Sequence, residues 1–287
     1  MRPDGRIAKG MTAIEMALPH IMPKRVDSQN FVTEYIDEEI IKEYIRTVRN
    51  EKGIHLSRMS VIIAAYHQAA VEHPYINRFV ANSKIYDRNH FCVSFVMLKN
   101  RVDGTPDETS VKVFMDPEDD VYDINRKITE QVEENSNPSH NNNTDKFASL
   151  IFKVPLLPYA VMGLVRLLDR YGLLPRFIID LSPFHTSMFI TNLASINTSH
   201  IYHHVYEFGT TSVFLSVGKS LPNYIKGTPG KKMIPMSIVM DERICTGHDY
   251  AVFNRTFQRY LKDPYLLDDV SAAKTGAQKL RDKTAVS

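Results

Sequence analysis

One stretch restricts the fold of this 287-residue chain more than any other: Met236 to Leu267, MSIVMDERICTGHDYAVFNRTFQRYLKDPYLL. Ser237 to Met240 is a short apolar run bounded by polar residues, the pattern of a buried strand. A tight turn through Gly247 follows. Ala251, Phe253, Phe257, Tyr260 and Leu261 then recur at three- and four-residue spacings, which predicts an amphipathic helix. Asp263-Pro264 ends it, because proline lacks the amide proton and clashes with the preceding turn.

The chain is long enough to bury a sizeable core as one large domain or two small ones. A net charge of +2 with both signs interspersed gives no electrostatic footing for nucleic acid. Cys92 and Cys245 both sit in apolar segments and point to a reducing compartment rather than a disulfide framework. The N-terminal residues contain no apolar run of signal-peptide length. The expectation is a cytoplasmic protein.

Residues 1–30 read as an extended arm leading into a helix or turn, broken by Pro19 and Pro23, ahead of a main domain at 31–269 and a disordered polar tail at 270–287. Phe31 to Ile36 predicts a strand, and Asp37-Glu38-Glu39 the start of a helix with Ile40, Ile41, Tyr44, Ile45 and Val48 inward. Ser57 or Ser60 is placed to cap a second helix, apolar almost all round. Phe91–Leu98 and Val111–Met115 are expected strands around a turn at Asp103 to Pro106, and Val121–Glu134 a surface helix. The asparagine-rich run Asn135 to Lys146 reads as an exposed loop. Ser187–Leu193 and Thr211–Gly218 predict two more strands.

Phe147 to Asp180 is strongly apolar. Lys153, Pro155, Pro158, Arg166, Asp169 and Arg170 interrupt the run of about 20 apolar residues a membrane span needs, so no span is expected. The segment reads as two core-packed helices; the other reading is a lid or partner-docking surface over a substrate channel.

Three local patterns, in this order, resemble the catalytic domain of the acyltransferases of 2-oxoacid dehydrogenase complexes. They are the helix end Glu72-His73-Pro74-Tyr75-Ile76-Asn77, the strand Phe189-Ile190-Thr191-Asn192-Leu193, and the opening strand–turn–helix. In that family the turn reads Asp-His-Arg-x-x-Asp-Gly, and a related version occurs in chloramphenicol acetyltransferase. Here it is Asp241-Glu242-Arg243-Ile244-Cys245-Thr246-Gly247. Glu242 therefore stands at the family's catalytic histidine and Thr246 at its aspartate. The resemblance implies an α/β fold, a two-layer sandwich with a mixed β-sheet, chloramphenicol acetyltransferase-like. It also implies a homotrimer with active sites between subunits and coenzyme A as a substrate beside an acyl thioester. No lipoyl attachment site is recognisable in the sequence: Asp282-Lys283-Thr284 lies in the polar tail.

By the same resemblance Thr191 falls on the position of a hydroxyl that donates to the tetrahedral oxyanion. Its alternative is a threonine that suits a strand. Glu242 is a candidate base. Proton transfer from a thiol to an ordinary glutamate is uphill by about 5–6 kcal/mol, and burial that raises the carboxyl by about 3–5 units closes most of that gap. The alternative is a structural ion pair with Arg243. His248, just after Gly247, and His185, upstream of the Thr191 strand, are substitute bases. Asp241 and Arg243 match family positions that hold the turn. His203 and His204, taken as strand neighbours, face opposite ways and make a poor metal site; no metal-ligand spacing is present, and no coenzyme-binding residue is assigned. The functional expectation is acyl transfer between coenzyme A and a thiol or other small acceptor. The alternative is a catalytically inactive trimeric scaffold or acyl-ligand-binding module. A third reading, a condensation-type enzyme, implies His-His-x-x-x-Asp-Gly and about twice this length.

Overall fold

The computed structural model describes residues 2–100, 106–136, 157–222 and 230–270. The hub is β10 (Lys232–Asp241), whose side chains are buried on both faces from Ile234 onward. It lies antiparallel between β2 (Gln29–Asp37) and β8 (Val213–Val217). Beyond β8 the sheet continues through β7 (Met188–Asn192), parallel to β8, and β5 (Phe91–Asn100), parallel to β7. β6 (Pro106–Met115) closes that edge antiparallel to β5, and the short β9 (Leu221–Pro222) pairs with the start of β10. The result is a seven-stranded mixed sheet. A second sheet of three strands joins β1 (Gly5–Ile7), β4 (Lys84–Arg88) and β3 (Arg78–Ala81).

Helices α2 (Glu38–Lys52), α3 (Arg58–Glu72), α4 (Val121–Ser136) and α7 (Gly247–Lys262) share the main core with one face of the large sheet. Local chemistry fixes their ends. Asp37 accepts the Glu39 amide and caps α2, acidic residues fill its first turn, and Gly53 in the left-handed region stops it. Ser57 caps α3, which is buried from Ser60 through Ala70. Burying an isoleucine such as Ile62 or Ile63 contributes about 1.5–3 kcal/mol, so α3 is held by packing on all sides.

That packing traps a polar ring. His67 is fully buried edge-on to Phe91, and neither ring nitrogen has a hydrogen-bond partner among the described residues. Burial pushes its pKa down to about 4. In the unfolded chain the imidazole binds a proton at about 6.5, so the unfolded state holds more protons between those values. Stability therefore falls as pH drops from about 6.5 to 4, by about 3 kcal/mol from this residue alone. Urea midpoints measured at pH 7 and pH 5 should differ, and the difference should shrink in His67→Leu; an equal drop in both proteins would exclude His67 as the source.

Four expectations change. The N-terminal arm is folded: α1 (Ala13–Ile21) runs through Pro19 and ends two residues later, the missing amide bond falling in its last turn. β1 pairs with β4, so these residues pack on the body. Of the apolar segment, 147–156 lie outside the described residues; the helices that follow, α5 (Leu157–Arg170) and α6 (Arg176–Leu181), are packed on one side only and turn Leu164, Leu167 and Phe177 to solvent. The segment containing His203 and His204 is not a strand, and their rings stack side by side, 4.8 Å between centroids. Asn135 and Ser136 complete α4. The expected turn at 103–106 and the rest of the asparagine-rich loop lie largely outside the described residues, as does the tail beyond 270.

Candidate active site

The turn after β10 is built around a buried carboxylate. Asp241 receives two hydrogen bonds from the Arg243 guanidinium, 2.8 and 2.7 Å, and one from Ser28 Oγ at 3.0 Å. Arg25 approaches its other side at 3.6 Å. Both arginines are buried and reach on to main-chain carbonyls: Arg243 to Met22, Arg25 to Tyr206, Glu207 and Gly209. Burial lowers the Arg25 pKa, and Asp241 opposes that shift. Gly209 sits at φ +87, and a Cβ there would lie 2.2 Å from the Phe184 carbonyl oxygen, so this crossing of chain segments requires glycine. The network locks the turn to the end of α1 and to residues 206–209.

Glu242 does not pair with Arg243, which Asp241 has taken. Its carboxylate is half-buried and accepts one hydrogen bond from the Asn30 side chain at 2.8 Å. Thr246 is the N-cap of α7: its hydroxyl accepts the Asp249 amide while the Asp249 carboxylate accepts from Thr246. This reciprocal cap gives the aspartate-position residue a local role in starting the helix. His248 follows in the first helical turn and is exposed. The Cys245 thiol is buried, and burial pushes it up to about 12, out of nucleophilic range at neutral pH.

His185 is wholly buried against Phe208. One ring nitrogen meets Ser182 Oγ at 2.8 Å, and the other faces Asp169 at 3.4 Å. Burial pulls the imidazole down, partly offset by Asp169. Burial also works against ionising Asp169, but His185 and Arg2 outweigh it and hold that carboxyl at about 2. Arg2 bonds Asp169 at 2.6 Å and Asp4 at 3.0 Å. His185 thus ties α5 to the sheet. Between this cluster and the turn lies a cleft of about 490 Å³ whose lining includes Arg25, Arg166, Arg170, Arg243, Asp169 and Glu207.

Thr191 lies at the other end of the sheet. It belongs to a row of hydroxyls in register across four strands: Thr191, Ser216, Ser237 and Thr33. Ser216 and Ser237 bond each other and the Ile201 main chain, and Thr33 meets the Tyr202 hydroxyl. The Thr191 hydroxyl, half-buried, has no such partner among the described residues. At about 4.8 Å per strand and 3.3 Å per residue, Thr191 and Glu242 are roughly 19 Å apart in one copy. His185, His248 and Glu242 therefore share one end of the molecule, and Thr191 does not join them. Nothing local in the sequence links Arg25, Ser28 and Asn30 to a turn more than two hundred residues away.

No protein-family model matches the sequence, and no curated protein does. Solved structures do. A truncated catalytic core of the 2-oxoacid dehydrogenase multienzyme complex from Thermoplasma acidophilum superposes with a TM-score of 0.54 at 12% identity, covering 90% of this chain and 99% of that one. The probable dihydrolipoamide acetyltransferase of Listeria monocytogenes gives 0.53 at 15% identity over 90% and 94%. A chloramphenicol acetyltransferase gives 0.52 at 13% identity over 90% and 100%. The chain has the chloramphenicol acetyltransferase-like fold, a mixed sheet with helices packed on one face.

Proposed function

We propose that this protein transfers an acyl group between coenzyme A and a thiol or another small acceptor, at a site completed between copies of the chain in a homotrimer. The observation that carries this reading is the Thr191 hydroxyl. Among the described residues it has no hydrogen-bond partner, in a row whose other members are bonded, and it stands at the position the resemblance gives to an oxyanion donor. An acyl thioester with its carbonyl oxygen against Thr191 gains most as that oxygen becomes anionic. The acceptor thiol passes its proton to Glu242 of another copy as its sulfur bonds the carbonyl carbon. The tetrahedral centre then expels the coenzyme A sulfur, which takes that proton back. The separation of Thr191 and Glu242 within one copy supports a shared site, as does the description of the Thermoplasma neighbour as the core of a multienzyme complex. A cytoplasmic setting supplies coenzyme A and reduced thiols.

Glu242 is half-buried on the single chain, and among the described residues its carboxylate is bonded by a neutral amide. That favours a second reading, an acyl-ligand-binding trimer without turnover. The full chain should exchange acyl groups between acyl-coenzyme A and small thiols above the uncatalysed rate, and sediment as a trimer. A trimer inert toward short, medium and long acyl chains would select the second reading.

A further inference from the structure

Helix α5 presents two unlike faces. Inward, Val161, Val165, Leu168 and Asp169 pack on the body, and Asp169 is fixed there by Arg2 and His185. Outward, Leu164, Leu167 and Tyr171 follow one another at helical spacing in solvent. Tyr159 near the start of the helix (81% exposed) lies on the side of Arg166 and Arg170, and Phe177 in α6 (71% exposed) is also open to solvent. Soluble monomers seldom leave so many large apolar side chains open in one span. The anchored Asp169 means the helix is not free to roll them inward.

Arg166 and Arg170 run along one edge of this stripe, both exposed. Arg166 carries no ion pair with a described carboxylate, and among the described residues the Arg170 side chain bonds the neutral Asn82 side chain, at 3.1 Å. The carboxylates on the two helices are already matched, Asp169 by Arg2 and Asp180 by Arg176. The edge is thus net positive beside an apolar, tyrosine-flanked strip. We infer that the α5–α6 face docks on an anionic lipid bilayer surface, with Leu164, Leu167 and Phe177 at the acyl boundary and Arg166 and Arg170 on lipid phosphates. The same face of a second copy would bring two more arginines and no unpaired carboxylate from α5 or α6, whereas a headgroup layer supplies phosphates. Tyrosines suit that boundary, their rings in apolar contact and their hydroxyls in water. No helix among the described residues is long and apolar enough to cross a membrane, so the contact lies in the interface plane. This inference does not depend on acyl transfer.

Flotation of the full chain with vesicles tests it. The protein should float with phosphatidylglycerol–phosphatidylcholine vesicles and stay behind with phosphatidylcholine alone. Leu164→Gln with Leu167→Gln should weaken binding by about 100-fold or more, the loss of two buried leucines. Arg166→Gln with Arg170→Gln should weaken it about 30-fold. Both pairs sit in solvent, so circular dichroism and Tm should match the parent. Failure of the parent to float on the anionic vesicles overturns the inference, as does undiminished binding by either pair. Loss of self-association in the leucine pair, with no vesicle binding by the parent, would assign the face to a second copy instead.

Discussion

Replacing Asp241 by asparagine lowers the stability of the fold by about 3–5 kcal/mol, the expected cost of breaking a buried charge cluster from one side. The carboxylate is fully buried between two buried guanidiniums, and asparagine would leave both uncompensated. The cluster is not thereby a large net source of stability, since burying three charges is itself costly. Its effect is to hold one arrangement, with the ends of α1 and β10 and residues 206–209 meeting at a single point. Urea unfolding should show the midpoint shift, and Arg243→Met added to Asp241→Asn should recover part of it by removing one orphaned cation. A loss below about 1 kcal/mol would mean that water reaches the network and that the turn is held by other contacts.

Thr191→Ala lowers acyl transfer by about 10²–10³-fold, or roughly 3–4 kcal/mol of transition-state stabilisation. Its Tm should stay near that of the parent, because the hydroxyl has no partner to lose among the described residues. Serine at this position should restore most of the rate and valine should not. The sharing of the site is tested by mixing. Glu242→Gln protein combined with Thr191→Ala protein, unfolded and refolded together, rebuilds about a quarter of the sites in randomly assembled trimers. Recovered exchange in the mixture, absent from either variant alone, is the expected result. No recovery, with mixed trimers demonstrably formed, would place both groups in one copy or neither in the reaction.

The strand–turn–helix around Gly247 was legible because the determinants that announce it are local: an apolar run, a glycine turn, helical spacing and a proline stop. The same holds for α2 and α3, whose caps lie where Asp37 and Ser57 suggested. What stayed hidden depends on distant partners. Ser28 meets Asp241 across 213 residues, and nothing near either residue announces the other. Glu242 was weighed against an ion pair with its neighbour Arg243, but backbone direction at the strand end turned Arg243 inward to Asp241. β3 and β4 are four and five residues long, too short to leave a periodic signal. In 147–180 the composition was plain and its consequence was not, because apolar content alone does not say whether a helix faces the core or the outside.

The central position of β10 bears on how the molecule is made. Its two neighbours, β2 and β8, both leave the ribosome before it, and β2 has no other partner in the large sheet. Until the last of these strands emerges, β2 and β8 each present an open edge, and the nascent chain must wait for a pairing that spans most of its length. A polypeptide halted before residue 232 would therefore carry an unpaired β2 and an open edge on β8 into the crowded cell, a target for chaperones rather than a smaller working protein.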